Sequence, residues 1–445
     1  MGTSASLLLV LFAAIVLIVF LIMKVRLHAF ITLIVSCFFV GIATGMPLAK
    51  IGGSIEAGMA STLGFLATIL GLGTILGKML EVSGGAERLA RTMIEAMGKQ
   101  KAGWAMMFVG FIAGIPVFFQ VGFVLLIPLV FSLAIETGLS VVAIGIPMAV
   151  SLITVHCILP PHPAAMAIAA SLKADIGKTI MYGIIVGLPA AIIAGPLWAN
   201  LLDKKFKFQL PEHLKKAERT LDEKLPKFGI TLFTILLPLL IMVSKTIIDM
   251  TFPKDASFMP FVAFIGNPIT ALLISTFVAY YTLGLARGFG MGQILSFTDQ
   301  CFGPVAGILL VIGAGGAFNK VLIDSGLGTE IAKVLTALSL NPIVMAWLVA
   351  VVMRFSVGSA TVAMMTAVGI VMPVLSAYPG LDPAIIAVAV GAGAISFSHV
   401  NDSGFWIVKE FFGLSVTDMF KTYTAATCIA SVVALIGSLI LSKVM

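Results

Sequence analysis

Polar residues that could bind a small anion or carry protons are grouped at a few positions inside long apolar runs. Gln120 lies in PVFFQVG (116–122), and the prolines of HCILPPHP (156–163) are flanked by His156 and His162. Arg354 stands just before GSAT (358–361), and HVNDSG (399–404) contains Asp402. An ionisable side chain in such a segment is costly unless it is paired or hydrated, so these residues are candidates for a functional site.

The residue types suggest binding and proton transfer. The planar fork of Arg354 could hold a substrate carboxylate through two hydrogen bonds. The predicted substrate-binding residues are Gln120, His156, His162, Arg354, Ser359, Thr361, Asn401 and Ser403. The predicted proton-coupling residues are Asp402, His156 and His399, since imidazole changes charge near neutral pH. Structural roles compete with these: Arg354 could pair with Asp402, and Ser and Thr bond across helices without a ligand.

Other kinds of chemistry are disfavoured by the sequence. His156 and His162 lie six residues apart with no third ligand nearby, and the four cysteines stand in apolar surroundings without metal-like spacing. No phosphate-binding loop of the Gly-x-x-x-x-Gly-Lys-Ser/Thr type occurs. We therefore expect no metal, no cofactor and no enzymatic activity.

The composition is that of a membrane protein. Hydrophobic residues form 60% of the 445 and charged residues only 11%, with a mean hydropathy of +1.14. Because a spanning helix needs about 20 apolar residues, the chain has room for ten or more spans. The net charge of +7 is interpreted as the cytoplasmic excess of Lys and Arg rather than as a nucleic-acid surface. The first apolar run, followed by Lys24 and Arg26, is interpreted as a span rather than a cleaved signal.

The two halves of the chain resemble each other at a separation of about 243 residues. The matched pairs include Lys78 with Lys320, Leu80 with Leu322, Trp104 with Trp347 and His156 with His399. A sequence repeated within a membrane protein, with polar breaks at corresponding places, is typical of secondary transporters that bind substrate at the repeat interface.

These observations predict an all-α integral membrane protein with about ten spanning helices and two re-entrant hairpins. The first repeat covers 1–202, with a hairpin at 103–135 and a broken helix at 141–172. The second covers 228–445, with a hairpin at 342–377 and a broken helix at 384–410. An odd number of crossings in each half would invert the second repeat relative to the first.

The charged segment 203–227 predicts the orientation. It contains eight Lys or Arg and five Asp or Glu, so the positive-inside rule places it in the cytoplasm. The predicted crossings then leave both termini in the periplasm.

Five motifs carry a family resemblance. They are TLGFLATILGLGTILGKMLE (62–81), PVFFQVGFVLLIPLVF (116–131), LPPHP (159–163), GSATVA (358–363) and SHVNDSGFW (398–406). Through them the chain resembles the gluconate permease family of bacterial proton symporters along essentially its full length. The resemblance implies import of gluconate, or a related hexonate or hexuronate, with protons across the bacterial inner membrane. It also implies kinship with a wider ion-transporter superfamily, and hence a homodimer in the lipid bilayer.

The substrate and the coupling ion stay open at this point. HCILPPHPAA (156–165) resembles the D-serine branch of the same family, whereas Arg354 and FFQVG (118–122) resemble the gluconate branch. Unwound backbone carbonyls could hold sodium instead of protons. A channel fits less well, because its filter is built from a ring of identical subunits and this is a single chain with two polar breaks. A membrane-embedded enzyme fits less well, because the sequence shows no metal or nucleophile cluster.

Overall fold

A computed structural model describes residues 4–205, 225–253, 255–327, 341–378, 380–400 and 402–444. Within these ranges all regular secondary structure is helical. Most of the predicted linker and the predicted site residue Asn401 lie outside the described residues.

The described part of the first half contains ten α-helices. They are α1 (Ser4–Met23), α2 (Ala29–Ala43), α3 (Leu48–Val82), α4 (Gly85–Met97), α5 (Ala102–Ala113), α6 (Phe119–Thr137), α7 (Val141–Ile158), α8 (Pro163–Ser171), α9 (Ile176–Ile192) and α10 (Trp198–Lys205). A π-helical turn at Ile193–Leu197 joins the last two. α4 covers the segment Ala86–Met97, whose charged residues Glu87, Arg88 and Arg91 predict an amphipathic helix at the membrane interface.

The described part of the second half contains another ten. They are α11 (Phe228–Thr251), α12 (Met259–Ile265), α13 (Pro268–Ala279), α14 (Met291–Asp324), α15 (Pro342–Val357), α16 (Ala360–Ala377), α17 (Pro383–Ile395), α18 (Ser403–Phe412), α19 (Val416–Met419) and α20 (Ala425–Val444). π-Helical turns follow α13 at Tyr280–Gly284 and α19 at Phe420–Thr424.

Among the described residues, eight helical segments are long and apolar enough to cross a membrane. They are Leu48–Val82, Phe119–Thr137, Val141–Ser171, Ile176–Leu202, Phe228–Thr251, Pro268–Arg287, Val305–Asp324 and Val416–Val444. Five shorter apolar helices accompany them, among them α2 and α15. A multi-pass membrane protein follows from this composition.

The two longest helices, α3 and α14, pack side by side and antiparallel. Ser54 on α3 donates a hydrogen bond of 2.7 Å to Asp324 at the end of α14, and further along Gly71 lies beside Phe302. Their first residues, at positions 48 and 291, are 243 apart (291 − 48). With 35 and 34 residues, both helices are longer than a spanning helix needs.

The interior is built around α7. All 18 residues of this helix are buried, and neighbouring helices approach it where they carry glycine. A methyl group added to Gly391 of α17 would overlap the backbone carbonyl oxygen of Cys157 on α7. The two helices can therefore cross this closely only because Gly391 has no side chain.

We expect Gly391→Ala to destabilise the protein by about 1–3 kcal/mol, the usual cost of overpacking a tight core. The backbone of α7 cannot move aside as a flexible side chain could. The apparent melting temperature of the purified protein in detergent measures the effect. Gly303→Ala on α14 is the matched control, since an added methyl group there meets nothing within 4 Å. Equal melting temperatures for the two variants would contradict the packing argument.

Four interruptions of the helical backbone, here called the helix breaks, position the polar residues. They lie at 114–118 between α5 and α6, at 159–162 between α7 and α8, at 358–359 between α15 and α16, and at 396–402 between α17 and α18. Pro160 and Pro161 account for the second break because proline cannot donate a backbone hydrogen bond. Gly358 accounts for the third: its φ of 78° is a left-handed conformation that glycine adopts without strain.

Candidate functional site

A central cavity of about 400 Å³ lies where three of the helix breaks meet the start of α2 and the middle of α14. Seven of the predicted site residues line it: Gln120, His156, Arg354, Ser359, Thr361, Asp402 and Ser403. Residues that are up to 283 positions apart in the sequence (403 − 120) thus border a single cavity.

Arg354 is the most deeply buried charge of the site, with 1% of its surface exposed. It lies in the last turn of α15, where a cation is favoured by the carbonyl end of the helix. Its Nη1 donates to the carbonyl oxygen of Gly358, and its Nη2 forms an ion pair of 2.5 Å with Oδ2 of Asp402. The left-handed turn at Gly358 brings that carbonyl back toward the guanidinium.

Asp402 begins α18 and caps its free amide groups. Its Oδ1 accepts a 2.9 Å hydrogen bond from the backbone N–H of Gly404, as expected of an N-cap aspartate. Its Oδ2 accepts from Arg354 and from the Ser398 hydroxyl. Thr424 in turn donates a 2.5 Å hydrogen bond to the carbonyl oxygen of Ser398. The carboxylate is therefore fully engaged, and the break that carries it is tied to the neighbouring π-helical turn.

The buried Arg354–Asp402 pair makes the site responsive to added charge. Together the two side chains are neutral, and each stands at the helix end whose dipole favours its sign. Removing one partner of a buried pair leaves the other uncompensated, which costs about 3–5 kcal/mol. An anion that enters the cavity, or a proton that neutralises Asp402, therefore directly changes the net negative charge that faces the Arg354 guanidinium.

The rest of the cavity wall offers uncharged hydrogen-bonding groups. Gln120 and Ser403 are exposed and Ser359 is half-buried. His156 is buried, and its Nε2 lies 3.5 Å from the hydroxyl of Thr361. This arrangement suits noncovalent binding of a small molecule with one acidic and several polar groups. In the described part of the chain, no three His, Cys, Asp or Glu come together as metal ligands.

Two predicted site residues lie away from the central cavity. His162 is fully buried behind His156, with the two ring centroids 4.1 Å apart. His399 is half-buried on the ring of Phe355 and lies 2.9 Å through Nε2 from that residue's carbonyl oxygen. Although it corresponds to His156 in the sequence match, it occupies a different environment.

Sequence reasoning missed two residues of the site. His28 caps the start of α2 through Nδ1 and lines the cavity; a lone histidine at the start of an apolar run was the available signal. Ser398 is present in the SHVNDSG motif, but its bond to Asp402 depends on how the fourth break folds back, which the spacing alone does not reveal.

The comparisons with known proteins agree with one another. Residues 5–444 match the family described as GntP family permease. The gluconate permease of Pseudomonas aeruginosa is 46% identical, with 100% of this chain and 99% of the relative covered. The D-serine transporter DsdX of Escherichia coli K12 is 48% identical, with 96% of each chain covered. The high-affinity gluconate transporter of the same strain is 42% identical, with 97% and 98% covered.

Two solved structures share the fold at low sequence identity. The YdaH transporter of Alcanivorax borkumensis aligns with a TM-score of 0.63 at 16% identity, covering 94% of this chain and 98% of that one. MtrF of Neisseria gonorrhoeae aligns with a TM-score of 0.68 at 13% identity, covering 96% and 97%. The eight long apolar helices indicate a multi-pass membrane protein. The family match over nearly the whole length shows that the chain belongs to the GntP family of permeases.

Proposed function

We propose that this permease imports gluconate, or a related hexonate or hexuronate, together with protons across the bacterial inner membrane. The observation that carries the proposal is Arg354, a buried cation at a helix break that opens on a polar cavity. A carboxylate is the natural ligand for such a guanidinium. The names of the gluconate-transporting relatives from Pseudomonas aeruginosa and Escherichia coli support the same substrate class.

The proposed binding mode exchanges one carboxylate for another. The substrate carboxylate takes over the Arg354 bond that Asp402 holds in the empty cavity. Substrate hydroxyls bond to the remaining polar residues of the wall: Gln120, His156, Ser359, Thr361 and Ser403. His162 lies behind His156 and does not line this cavity, and Asn401 lies outside the described residues, so a binding role for either stays a prediction from the sequence.

Proton coupling follows from the same exchange. When Asp402 takes up a proton it no longer competes for Arg354, and the substrate brings the negative charge that the site then lacks. The loaded site thus has the same net charge as the empty one, which keeps the cost of burying it low. Sodium could replace the proton as the coupling ion only if it were bound by the backbone carbonyl groups that have no helical partner at the breaks.

D-serine is the second candidate substrate. The chain is 48% identical to a D-serine transporter, and HCILPPHPAA resembles that branch. D-Serine also carries a carboxylate for Arg354, but its ammonium group would need an acceptor, and Asp402 is the acidic residue among those that line the cavity.

The decisive experiment for the substrate is counterflow in proteoliposomes that contain the purified protein. Vesicles preloaded with unlabelled gluconate should take up labelled gluconate from outside, and D-serine should compete weakly. Faster counterflow with D-serine than with gluconate would assign the second candidate. If neither compound exchanges, the proposed substrate class is wrong.

The architecture we propose rests on internal symmetry. Two inverted repeats, 1–202 and 228–445, would meet at the central cavity, with re-entrant hairpins at 103–135 and 342–377 and broken helices at 141–172 and 384–410. The starts of α3 and α14 are 243 residues apart (291 − 48), the same separation as in the sequence match between the halves, which supports this arrangement. We also propose a homodimer in which a transport domain of each subunit moves against a fixed scaffold.

The inverted arrangement predicts the topology. Both termini should face the periplasm and the 203–227 segment the cytoplasm, because of the Lys and Arg distribution. Alkaline phosphatase fused after Met445 should be active, since it works only outside the cytoplasm, and green fluorescent protein at the same place should stay dark. The opposite pattern would rule out an odd number of crossings in one half.

A further inference from the structure

The structure contains a second cavity of about 250 Å³ on the other side of the first helix break. Its polar lining includes Thr74, Lys78, Glu81 and Gln300, and Lys78 is paired with Glu81 at 2.8 Å. Phe118 lines both this cavity and the central one. The ring of Phe118 therefore belongs to the partition that separates two polar compartments.

Beside that partition lie two buried imidazoles. His156 lines the central cavity, and His162 lies directly behind it, with ring centroids 4.1 Å apart. Within the part of the chain that the structure describes, Nδ1 of His156 and both ring nitrogens of His162 have no hydrogen-bond partner. Buried polar atoms are normally satisfied, so nitrogens left in this state at a cavity wall indicate a role beyond packing.

The imidazole pair leads toward the second cavity. Pro161 and Pro163, the neighbours of His162, line a small cavity of about 10 Å³, close to the room that one water molecule needs. Thr74, Pro116 and Phe118 line both this small cavity and the second cavity. His162 also meets the edge of Phe118, with ring centroids 5.5 Å apart. The two imidazoles, the small cavity beside Pro161 and Pro163, and the second cavity thus lie in series alongside the Phe118 ring, although His162 itself lines neither cavity.

We propose that His156 and His162 form a proton path between the central cavity and the second cavity, separate from the route of the substrate. The inference rests on the proposed proton symport. Asp402 releases its proton to one ring nitrogen of His156, and the resulting imidazolium gives up a proton from its other nitrogen to His162. His162 passes it in the same way to water at the second cavity. Only O–H and N–H bonds form and break, and both imidazoles end neutral.

The charged groups at the two ends suit this direction of transfer. Arg354, Asp402 and His156 all line the central cavity, so the proposed proton donor and the first imidazole border the same space. Glu81 at the far end offers a carboxylate beside Lys78. The second cavity lies where α3 leads into α4 and its residues Arg88 and Arg91, the face that we expect to be cytoplasmic.

His162→Gln tests the path, because glutamine is polar and of similar length but cannot accept and release a proton. We expect loss of gluconate accumulation driven by a pH gradient and of substrate-induced proton uptake into proteoliposomes. Counterflow should stay close to that of the unmodified protein, and gluconate affinity should keep its dependence on pH, since Asp402 is intact. His213→Gln in the charged linker is the matched control and should retain accumulation.

Three outcomes would overturn the path. Normal accumulation in His162→Gln would mean that protons travel elsewhere. Loss of counterflow would make His162 a residue of substrate binding or of folding. Loss of the pH dependence of affinity would make it the coupling site itself. Failure of the proposed function is distinguishable, because the unmodified protein would then exchange no gluconate, or would exchange it without accumulating it in response to a pH gradient.

Discussion

Asp402→Asn should abolish uphill accumulation of gluconate and leave counterflow intact. Asparagine still caps α18 through its side-chain oxygen, but it is permanently neutral and cannot carry a proton. Exchange requires only that the loaded carrier reorients, whereas accumulation requires net proton movement. The measurement is uptake of labelled gluconate into proteoliposomes with an acidic exterior, compared with counterflow at equal pH on both sides.

The control for this prediction is Asp249→Asn. Asp249 is an aspartate on α11 whose 2.6 Å pair with Lys245 lies away from the residues that line the central cavity, and its loss should leave accumulation unchanged. Accumulation that persists in Asp402→Asn would show that another group carries the proton, with His156 and His399 the next to test.

Arg354→Lys should weaken gluconate binding by roughly tenfold or more, which corresponds to about 1.4 kcal/mol or above. Arg354 bonds to Asp402 and to the Gly358 carbonyl with separate nitrogens of one planar group. An ammonium on a flexible stem cannot keep the contact with the Gly358 carbonyl and also receive the substrate carboxylate bidentately in place of Asp402. The dissociation constant from titration calorimetry of purified protein measures the loss.

Arg91→Lys provides the comparison for the same chemical change at a partly exposed position. Arg91 forms an i,i+4 pair of 2.6 Å with Glu87 on α4, and such pairs contribute little. The affinity of the Arg91→Lys variant for gluconate should equal that of the unmodified protein. An unchanged dissociation constant in Arg354→Lys would remove Arg354 from the binding site.

The helix breaks were predictable because local chemistry determines them. Pro160 and Pro161 end α7 whatever surrounds it in the fold, because they lack the backbone N–H groups that helical hydrogen bonds need. Pro116 acts similarly at the first break, and Gly358 permits the left-handed turn at the third. Polar residues next to these breaks, Gln120 and Thr361 among them, line the central cavity.

Long-range pairing was not predictable in the same way. The sequence left Arg354 free either to bind substrate or to pair with Asp402; the two stand 48 residues apart, and only the folded arrangement selects the pair. His28 was not among the predicted site residues because a single histidine at the start of an apolar run does not reveal its place in the fold, whereas its side chain lines the central cavity. His399 and His156 match in sequence, yet helix packing puts only His156 in the cavity wall.

The affinity for gluconate as a function of pH tests most directly that substrate and proton share the Arg354–Asp402 pair. If the substrate binds the form in which Asp402 is protonated, the two ligands favour each other's binding. Gluconate affinity should then be highest at low pH and fall as pH rises, by at most about tenfold per pH unit for one coupled proton. Asp402→Asn should keep a high affinity at every pH. An affinity of the unmodified protein that is constant, or that rises, between about pH 5 and 8 would contradict the account.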